Sequence, residues 1–300
     1  MTSHDVVRHL KRNLPRPFGK IGHFGTLDPF ASGVLLVGIG GAQRANDLVH
    51  ELYPKTYLAV GKLGQSTDTG DYTGEVCGVD TADYLYKKIA NFDIEFLDQV
   101  LRERFLGDYW QSPHKFSAAK FEGKKLYQWA REGIEIAKDR VLRQVHDIKV
   151  IRYQFPYLSI QVTVSSGTYV RTLFQEMAEY LGTHGHLISL VRTAVGGAIL
   201  ENAIRKKQWP QKDMSWELIS KRALSVAELL KCPTKRLDQE SSIHYSRGMA
   251  LPVELAIPKW NDHLGRGLVW IQAVDGSNIG LGRVIDGQLK VVFNLPLSQS

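Results

Sequence analysis

The sequence is poor in cysteine, in long apolar runs and in acidic charge. Its 300 residues include only two cysteines, Cys77 and Cys232, which excludes a disulfide framework and a cysteine-rich zinc module. So few cysteines favour a reducing compartment, with the cytoplasm as the default. The most apolar run, residues 33–42, is about half as long as a membrane helix and is broken by glycine, and the first residues carry no apolar signal region. We therefore expect neither a membrane-spanning nor an exported protein.

The overall composition is that of an ordinary globular protein with a basic bias. Hydrophobic residues make up 43% of the chain and charged residues 23%, which is enough apolar material for a sizeable core. The 38 Lys and Arg residues exceed the 31 Asp and Glu residues, and the net charge of +7 favours a polyanionic partner. The length suits one large domain with a smaller second one.

Changes of hydrophobic period predict an α+β fold. Lys55–Leu63 is short and rich in β-forming residues, and residues 158–164 alternate between apolar and polar side chains, so both predict strands. Residues 94–105 and 170–181 carry apolar side chains every three or four positions and predict helices. Because these elements mix without a regular βαβ order, we expect a mainly antiparallel central sheet with flanking helices.

The C-terminal part of the sequence changes in character. Residues 201–222 are polar and basic, and beyond residue 240 short strand-like runs alternate with glycines. This pattern predicts a small β-barrel. We place the domain boundary between residues 235 and 236, so that 1–235 form the large domain and 236–300 the small one.

The most informative segment is GHFGTLDPFASGVL at residues 22–35. Gly22, Gly25 and Gly33 permit backbone geometries that other residues avoid, and Pro29 keeps Asp28 out of the helical region. The Asp28 carboxylate is therefore presented on a shaped loop, which suits a nucleophile. Taken alone, however, such a segment is more often a surface turn.

Four later blocks follow this segment in a fixed order. They are LGQSTDTGDYTGEV at 63–76, QSPHKFSAAKFEGKKLYQWAREG at 111–133, SSGTYVRTL at 165–173 and LVRTAVGG at 190–197. Together the five blocks resemble the TruB family of tRNA pseudouridine synthases over nearly all of residues 1–200. The C-terminal part resembles a PUA domain, an RNA-binding β-barrel. The resemblance implies a pseudouridine synthase fold with an RNA-binding insertion, followed by a PUA-like domain.

The resemblance also implies an activity, the conversion of uridine 55 in the T-arm loop of tRNA to pseudouridine. The base would be flipped out of its stack, and no metal, cofactor or obligatory protein partner would be needed. Two alternatives stay open: a tRNA-binding folding chaperone with little catalysis, and the catalytic subunit of a guide-RNA-dependent pseudouridine synthase. The intact Asp28 disfavours the first, and the blocks at 63–76 and 120–133 look more like those of stand-alone enzymes.

Catalytic roles follow from the same resemblance. Asp28 corresponds to the family's catalytic aspartate, which attacks either C6 of the base or C1′ of the ribose, and Arg171 corresponds to its arginine partner. Tyr57 and Tyr169 correspond to tyrosines that stack on the base. Tyr57 also corresponds to the residue suggested to move the proton at C5.

Further residues correspond to substrate contacts. His23 matches the side chain that fills the space left by the flipped base, and Leu190 matches an apolar contact to the nucleotide. Lys120 matches the lysine of a SALK-like stretch, and Arg192 belongs to the family's RT element. We expect Arg192 and the lysines at residues 115–125 to face RNA phosphates.

Two other patterns are weaker. His184 and His186 form an HxH pair, but no Cys, Asp or Glu at ligand spacing completes a metal site. The acidic TDTGD at residues 67–71 favours a hydrogen-bonded turn over a metal site.

Overall fold

The computed structural model of the protein contains two compact units. It describes residues 1–14, 19–112, 120–125, 129, 132, 134, 139–209, 211, 217–252 and 267–295. The first unit comprises Met1–Ser3, Gly25–Leu36 and His50–Ala203, and the second comprises His4–Phe24, Val37–Val49 and Ile204–Ser300. Among the described residues no helix has the length and apolar character needed to cross a membrane. The predicted domain boundary between residues 235 and 236 stays a prediction.

The helices are short to medium in length. The α-helices of the described residues are α1 (Ser3–Asn13), α2 (Asn46–Leu52), α3 (Ala82–Tyr84), α4 (Ile94–Phe105), α5 (Val170–Tyr180), α6 (Glu217–Ser220), α7 (Val226–Leu230) and α8 (Gln239–Ser246). A π-helical turn follows α3 at Leu85–Ile89, and 3-10 turns occupy Gly40–Ala45, Leu200–Asn202 and Lys206–Gln208.

The strands fall into two main sheets and several short hairpins. They are β1 (Ile21–His23), β2 (Ser32–Gly33), β3 (Val37–Ile39), β4 (Lys55–Leu63), β5 (Gln65–Thr67), β6 (Val76–Val79), β7 (Gly107–Gln111), β8 (Lys120–Phe121), β9 (Lys124–Lys125), β10 (Val141–Gln154), β11 (Tyr157–Val164), β12 (Gly185–Val195), β13 (Ala198–Ile199), β14 (Thr234–Arg236), β15 (Leu251–Pro252), β16 (Leu268–Gln272), β17 (Asn278–Ile285) and β18 (Gln288–Asn294).

The first unit is built on a seven-stranded sheet. Its order is β13-β12-β4-β11-β10-β7, and β2 pairs in parallel with β12 while the other pairs are antiparallel. The strand predicted at Lys55–Leu63 is β4, at the centre of this sheet, and the helix predicted at 94–105 is α4. The predicted α+β fold with a mainly antiparallel sheet is confirmed.

Local sequence explains how two helices cover the sheet. The Asp93 side chain caps α4 by accepting a hydrogen bond from the Phe96 N–H, and α4 buries Leu97 and Leu101. Helix α5 buries the Phe174 ring, and Gly61 on β4 makes room for it, because a Cβ there would lie 1.9 Å from Phe174 Cζ. Each large apolar side chain so buried contributes roughly 1.5–3 kcal/mol.

The second unit contains the predicted C-terminal β structure. Its five-stranded sheet has the order β14-β16-β17-β18-β15 and is curled into a half-barrel. Its core includes Leu237, Tyr245, Ile271 and Leu289. The assignment of this sheet to the PUA domains stays a prediction.

Candidate active site

Asp28 lies on a tightly closed loop, residues 25–34, that contains the short strand β2. The Ala31 N–H donates to the Asp28 carbonyl oxygen at 2.9 Å, and the Val34 N–H donates to the Arg192 carbonyl oxygen on β12 at 2.8 Å. Gly33 has φ +112°, and a Cβ there would lie 2.2 Å from the Arg192 carbonyl oxygen. Only glycine permits this close approach of the loop to the sheet, so Gly33 is required for the packing of the Asp28 loop against β12.

Arg171 binds Asp28 with two parallel hydrogen bonds. Arg171 Nε donates to Asp28 Oδ2 at 3.0 Å, and Nη2 donates to Oδ1 at 3.1 Å. The Arg171 side chain is 5% exposed, whereas the Asp28 side chain is 30% exposed. This two-point geometry fixes the plane of the carboxylate, which stays partly exposed to solvent.

Asp71 is a second carboxylate on the same guanidinium. Arg171 Nη1 donates to Asp71 Oδ2 at 3.3 Å and to the Thr69 carbonyl oxygen at 2.8 Å. The Asp71 side chain is 5% exposed, and its Oδ1 accepts from the Thr73 N–H at 3.0 Å. The turn predicted at residues 67–71 is present. The ion pair of Asp71 with Arg171 does not follow from the sequence, in which the acidic TDTGD is its only signal.

Tyr57 lies on β4 directly opposite Arg192 on β12, and it is buried. Burial raises the pKa of Tyr57, and the nearby Asp28 carboxylate acts in the same direction, while the charge of Arg192 and a hydrogen bond with its side chain act against it. The net direction is upward, so the Tyr57 hydroxyl keeps its proton at neutral pH.

Arg192 is nearly inaccessible and holds the Asp28 loop. It is 1% exposed, and its guanidinium donates to the carbonyl oxygens of Val34 at 2.7 Å, Gly25 at 3.2 Å and Thr26 at 3.4 Å. These acceptors lie at both ends of the loop. The predicted contact of Arg192 with an RNA phosphate stays a prediction, which this burial does not favour.

Lys55 is another buried cation near this site. It is 4% exposed, and its Nζ donates to the Tyr53 carbonyl oxygen at 3.1 Å and to Ser166 Oγ. Burial and the charge of Arg192 lower the pKa of Lys55 to about 8. Sequence reasoning gave no signal for this environment, because lysines at strand starts are usually solvated.

The remaining candidate residues lie on several different elements. Tyr169 is the N-cap of α5, and Leu190 is buried in the core of the first unit. His23 lies on β1 in the second unit. Lys120 pairs with Lys125 in the β8–β9 hairpin, and the side chains of both lie outside what the structure describes.

Lys115 falls outside the described residues altogether. Among the described residues, no group of three His, Cys, Asp or Glu side chains is arranged to hold a metal ion. The substrate-binding roles inferred from sequence stay predictions.

Comparison with known proteins identifies one family. Residues 11–170 match the family described as TruB family pseudouridylate synthase (N terminal domain). A tRNA pseudouridine synthase B of Histophilus somni (strain 2336) is 37% identical over 195 residues, which span 65% of this chain and 59% of that protein. That of Mannheimia succiniciproducens is 34% identical over 81% of this chain and 76% of its own length. That of Enterobacter sp. (strain 638) is 31% identical over 95% and 88%.

Solved structures share the fold. A chain from the crystal structure of a Cbf5-Nop10-Gar1 complex has a TM-score of 0.68 at 23% identity and covers 98% of this chain and 81% of its own. A chain from the structure of an H/ACA RNP bound to a substrate RNA containing 2′-deoxyuridine has a TM-score of 0.61 at 20% identity, over 100% of this chain and 83% of its own. At these identities the likeness concerns the fold alone.

Proposed function

Because the chain belongs to the TruB family of pseudouridylate synthases, we propose that it converts uridine 55 in the T-arm loop of tRNA to pseudouridine. Relatives named tRNA pseudouridine synthase B, 31% to 38% identical to this chain, support tRNA as the substrate. The observation that carries the proposal is the two-point pairing of Arg171 with Asp28 on the closed loop. It presents one oriented carboxylate, which is what a nucleophile requires.

The proposed reaction is a balanced isomerisation. Asp28 attacks either C6 of the base or C1′ of the ribose, the C1′–N1 bond breaks, and the base turns before C1′ bonds to C5. The proton at C5 is then removed, N1 ends protonated, and Asp28 is released. No atom is gained from a second substrate and no electron is transferred, so the chemistry itself calls for no redox cofactor.

The other residues serve binding and proton transfer. The target base has to leave its stack, at a cost of a few kcal/mol, and aromatic rings offset part of that cost. Tyr57 and Tyr169 are proposed to supply them. Tyr57, whose hydroxyl stays protonated, is also proposed to move the C5 proton. His23 is proposed to fill the space left by the flipped base, and Leu190 to make an apolar contact to the bound nucleotide.

The lysines at residues 115–125, which include Lys120, are proposed to contact RNA phosphates. The net charge of +7 supports such binding, since each neutralised phosphate releases counterions. We propose that one chain of this protein suffices and that no protein partner is obligatory. The likeness to chains from Cbf5 complexes concerns the fold and gives no reason to add a partner.

The test uses an unmodified tRNA transcript with tritium at C5 of its uridines. Wild-type protein should release tritium and leave pseudouridine only at position 55. Asp28→Asn should bind the transcript within a few fold of wild type and release no tritium, because the amide keeps the shape but is not a nucleophile. Asp83→Asn, which alters an exposed carboxylate on α3, should behave as wild type. Turnover by Asp28→Asn, or no product with the wild type, would overturn the proposal.

A further inference from the structure

Gln111, the last residue of β7, holds the backbone of Tyr169 at two points. Its Oε1 accepts from the Tyr169 N–H at 2.8 Å, and its Nε2 donates to the Tyr169 carbonyl oxygen at 2.9 Å. Gln111 is 2% exposed, so its amide is a buried polar group, and loss of a hydrogen bond there would cost the full desolvation free energy of the unpaired group. The side chain therefore pairs with Tyr169 as a neighbouring strand would.

A second pair of residues determines which way this amide faces. Gln111 Nε2 also lies 3.3 Å from Tyr109 Oη, and Tyr109 Oη donates to Glu176 Oε2 at 2.7 Å. A phenol has one hydroxyl proton, and Tyr109 uses it in the hydrogen bond that it donates to Glu176. Towards Gln111 the Tyr109 oxygen can therefore act only as an acceptor. The Nε2 group must then face Tyr109, and Oε1 is left for the Tyr169 N–H.

The position of Tyr169 gives this contact its importance. Tyr169 is the N-cap of α5, and its carbonyl oxygen also accepts from the Leu173 N–H at 3.1 Å. Arg171, which pairs with Asp28, is the second residue of the same helix. Holding the backbone of Tyr169 therefore fixes the point from which its side chain extends. It also fixes the first turn of α5, from which Arg171 reaches Asp28.

We propose that Gln111 is a positioning residue for the reaction, acting through Tyr169 and the first turn of α5. This inference rests on the proposed function and adds Gln111 to the residues that serve the reaction. Gln111 is not proposed to contact Asp28 or the target uridine. Its effect is on the geometry of Tyr169 and Arg171, which are proposed to act on them. Tyr109 and Glu176 support it by orienting its amide.

The experiment compares Gln111→Leu and Gln111→Glu with Gln99→Leu. Leucine is similar in size and removes both hydrogen bonds. Glutamate keeps the acceptor for the Tyr169 N–H, but as a carboxylate it cannot donate to the Tyr169 carbonyl oxygen. Gln99 is a matched control, because it is an exposed glutamine on α4 whose Nε2 donates to Glu103 at 2.8 Å.

Three quantities are measured: exchange of the Tyr169 amide hydrogen by NMR of tyrosine-labelled protein, tRNA affinity, and single-turnover pseudouridine formation between pH 6 and 9. For Gln111→Leu we expect the Tyr169 amide hydrogen to exchange about tenfold faster or more, and the single-turnover rate to fall by about tenfold or more. tRNA affinity should stay within about threefold, since no phosphate contact is lost. Gln99→Leu should match the wild type throughout.

The pH profile separates positioning from simple loss of stability. The rate of Gln111→Glu relative to wild type should fall as the pH rises, because only the protonated carboxyl can donate, and should recover at low pH. Tyr109→Phe, which leaves Gln111 in place but removes the group that orients it, should show a smaller loss of rate. It is the fallback should Gln111→Leu not fold.

Unchanged Tyr169 exchange and wild-type turnover in both Gln111 variants would overturn the inference, as would a Gln111→Glu profile parallel to that of the wild type. The exchange measurement does not depend on catalysis. A wild-type protein that forms no pseudouridine would therefore contradict the proposed function while the hold of Gln111 on Tyr169 is still measured.

Discussion

Asp28 and Asp71 share one guanidinium, that of Arg171, and differ in their access to solvent. The Asp71 side chain is 5% exposed and is also bound by the Thr73 N–H, whereas the Asp28 side chain is 30% exposed. The buried carboxylate thus anchors the arginine, and the arginine orients the accessible carboxylate. A catalytic carboxylate is positioned most precisely when the residue that binds it is itself fixed by further contacts.

The first prediction concerns Arg171. Lysine at this position keeps the charge but loses the planar fork that binds both Asp28 oxygens and Asp71 at once. We expect Arg171→Lys to lower the single-turnover rate by roughly 100-fold, and Arg171→Met to be more severely impaired. Arg171→Met also leaves Asp71 buried without its cation, which should lower the free energy of unfolding by about 3 kcal/mol.

Rapid-quench assays and urea denaturation measure these two effects. The exposed Arg8, which pairs with Asp5 on α1, offers a control in Arg8→Lys. If Arg171→Lys kept the wild-type rate, the two-point pairing with Asp28 would have no bearing on catalysis.

The second prediction concerns Gly33, with Gly107 as its matched control. Both have a positive φ, +112° and +93°, but a Cβ at Gly33 would strike the Arg192 carbonyl oxygen, whereas a Cβ at Gly107 would meet nothing within 4 Å. Gly107→Ala should cost only backbone strain, about 1–2 kcal/mol. Gly33→Ala adds a clash with rigid backbone and should cost more than about 3 kcal/mol and abolish turnover. Equal costs in urea denaturation would contradict the close approach of the loop to β12.

Local periodicity predicted the elements well for a physical reason. The β-forming run at Lys55–Leu63 matches β4, and the apolar side chains at every third or fourth position of residues 94–105 match α4, because in both segments neighbouring residues decide the element. The contacts that build the site are of another kind. Arg171 and Asp71 are 100 residues apart, and Gln111 and Tyr169 are 58 apart. No local pattern relates such pairs.

Arg192 illustrates the same limit from the side of burial. The resemblance places Arg192 in the family's RT element, beside a basic block, and on that ground the sequence predicts a contact with an RNA phosphate. The structure buries it because three loop carbonyl oxygens meet its guanidinium. Acceptors from a distant loop replace water, and they are invisible until the chain is folded.

The third prediction follows from the pKa of Lys55, which is lowered from 10.5 to about 8. Between those two values the unfolded chain binds more protons at this site than the folded protein does, so the contribution of Lys55 to the free energy of unfolding rises with pH. Below pH 8 burial of the charged lysine carries its full cost.

Lys55→Met removes this dependence. The variant's advantage over wild type in free energy of unfolding should shrink by roughly 2 kcal/mol between pH 7 and pH 10. Urea denaturation of both proteins across that range measures the difference, in which the titration of other groups cancels. Parallel stability curves for the two proteins would contradict the burial of this amine.

The last prediction separates the two roles open to Arg192. If its guanidinium holds the Asp28 loop, Arg192→Met removes the three carbonyl contacts together with the charge and should lower the free energy of unfolding by about 3 kcal/mol. Turnover should fall with it, because Asp28 loses its fixed position. The slope of log tRNA affinity against log salt should stay unchanged, since no phosphate contact disappears. Lys120→Ala provides the contrast, with a slope reduced by about one and stability kept. Should Arg192→Met reduce the salt slope by about one and leave stability intact, the phosphate contact predicted from sequence would be the correct role, and the loop would be held by its backbone bonds to β12.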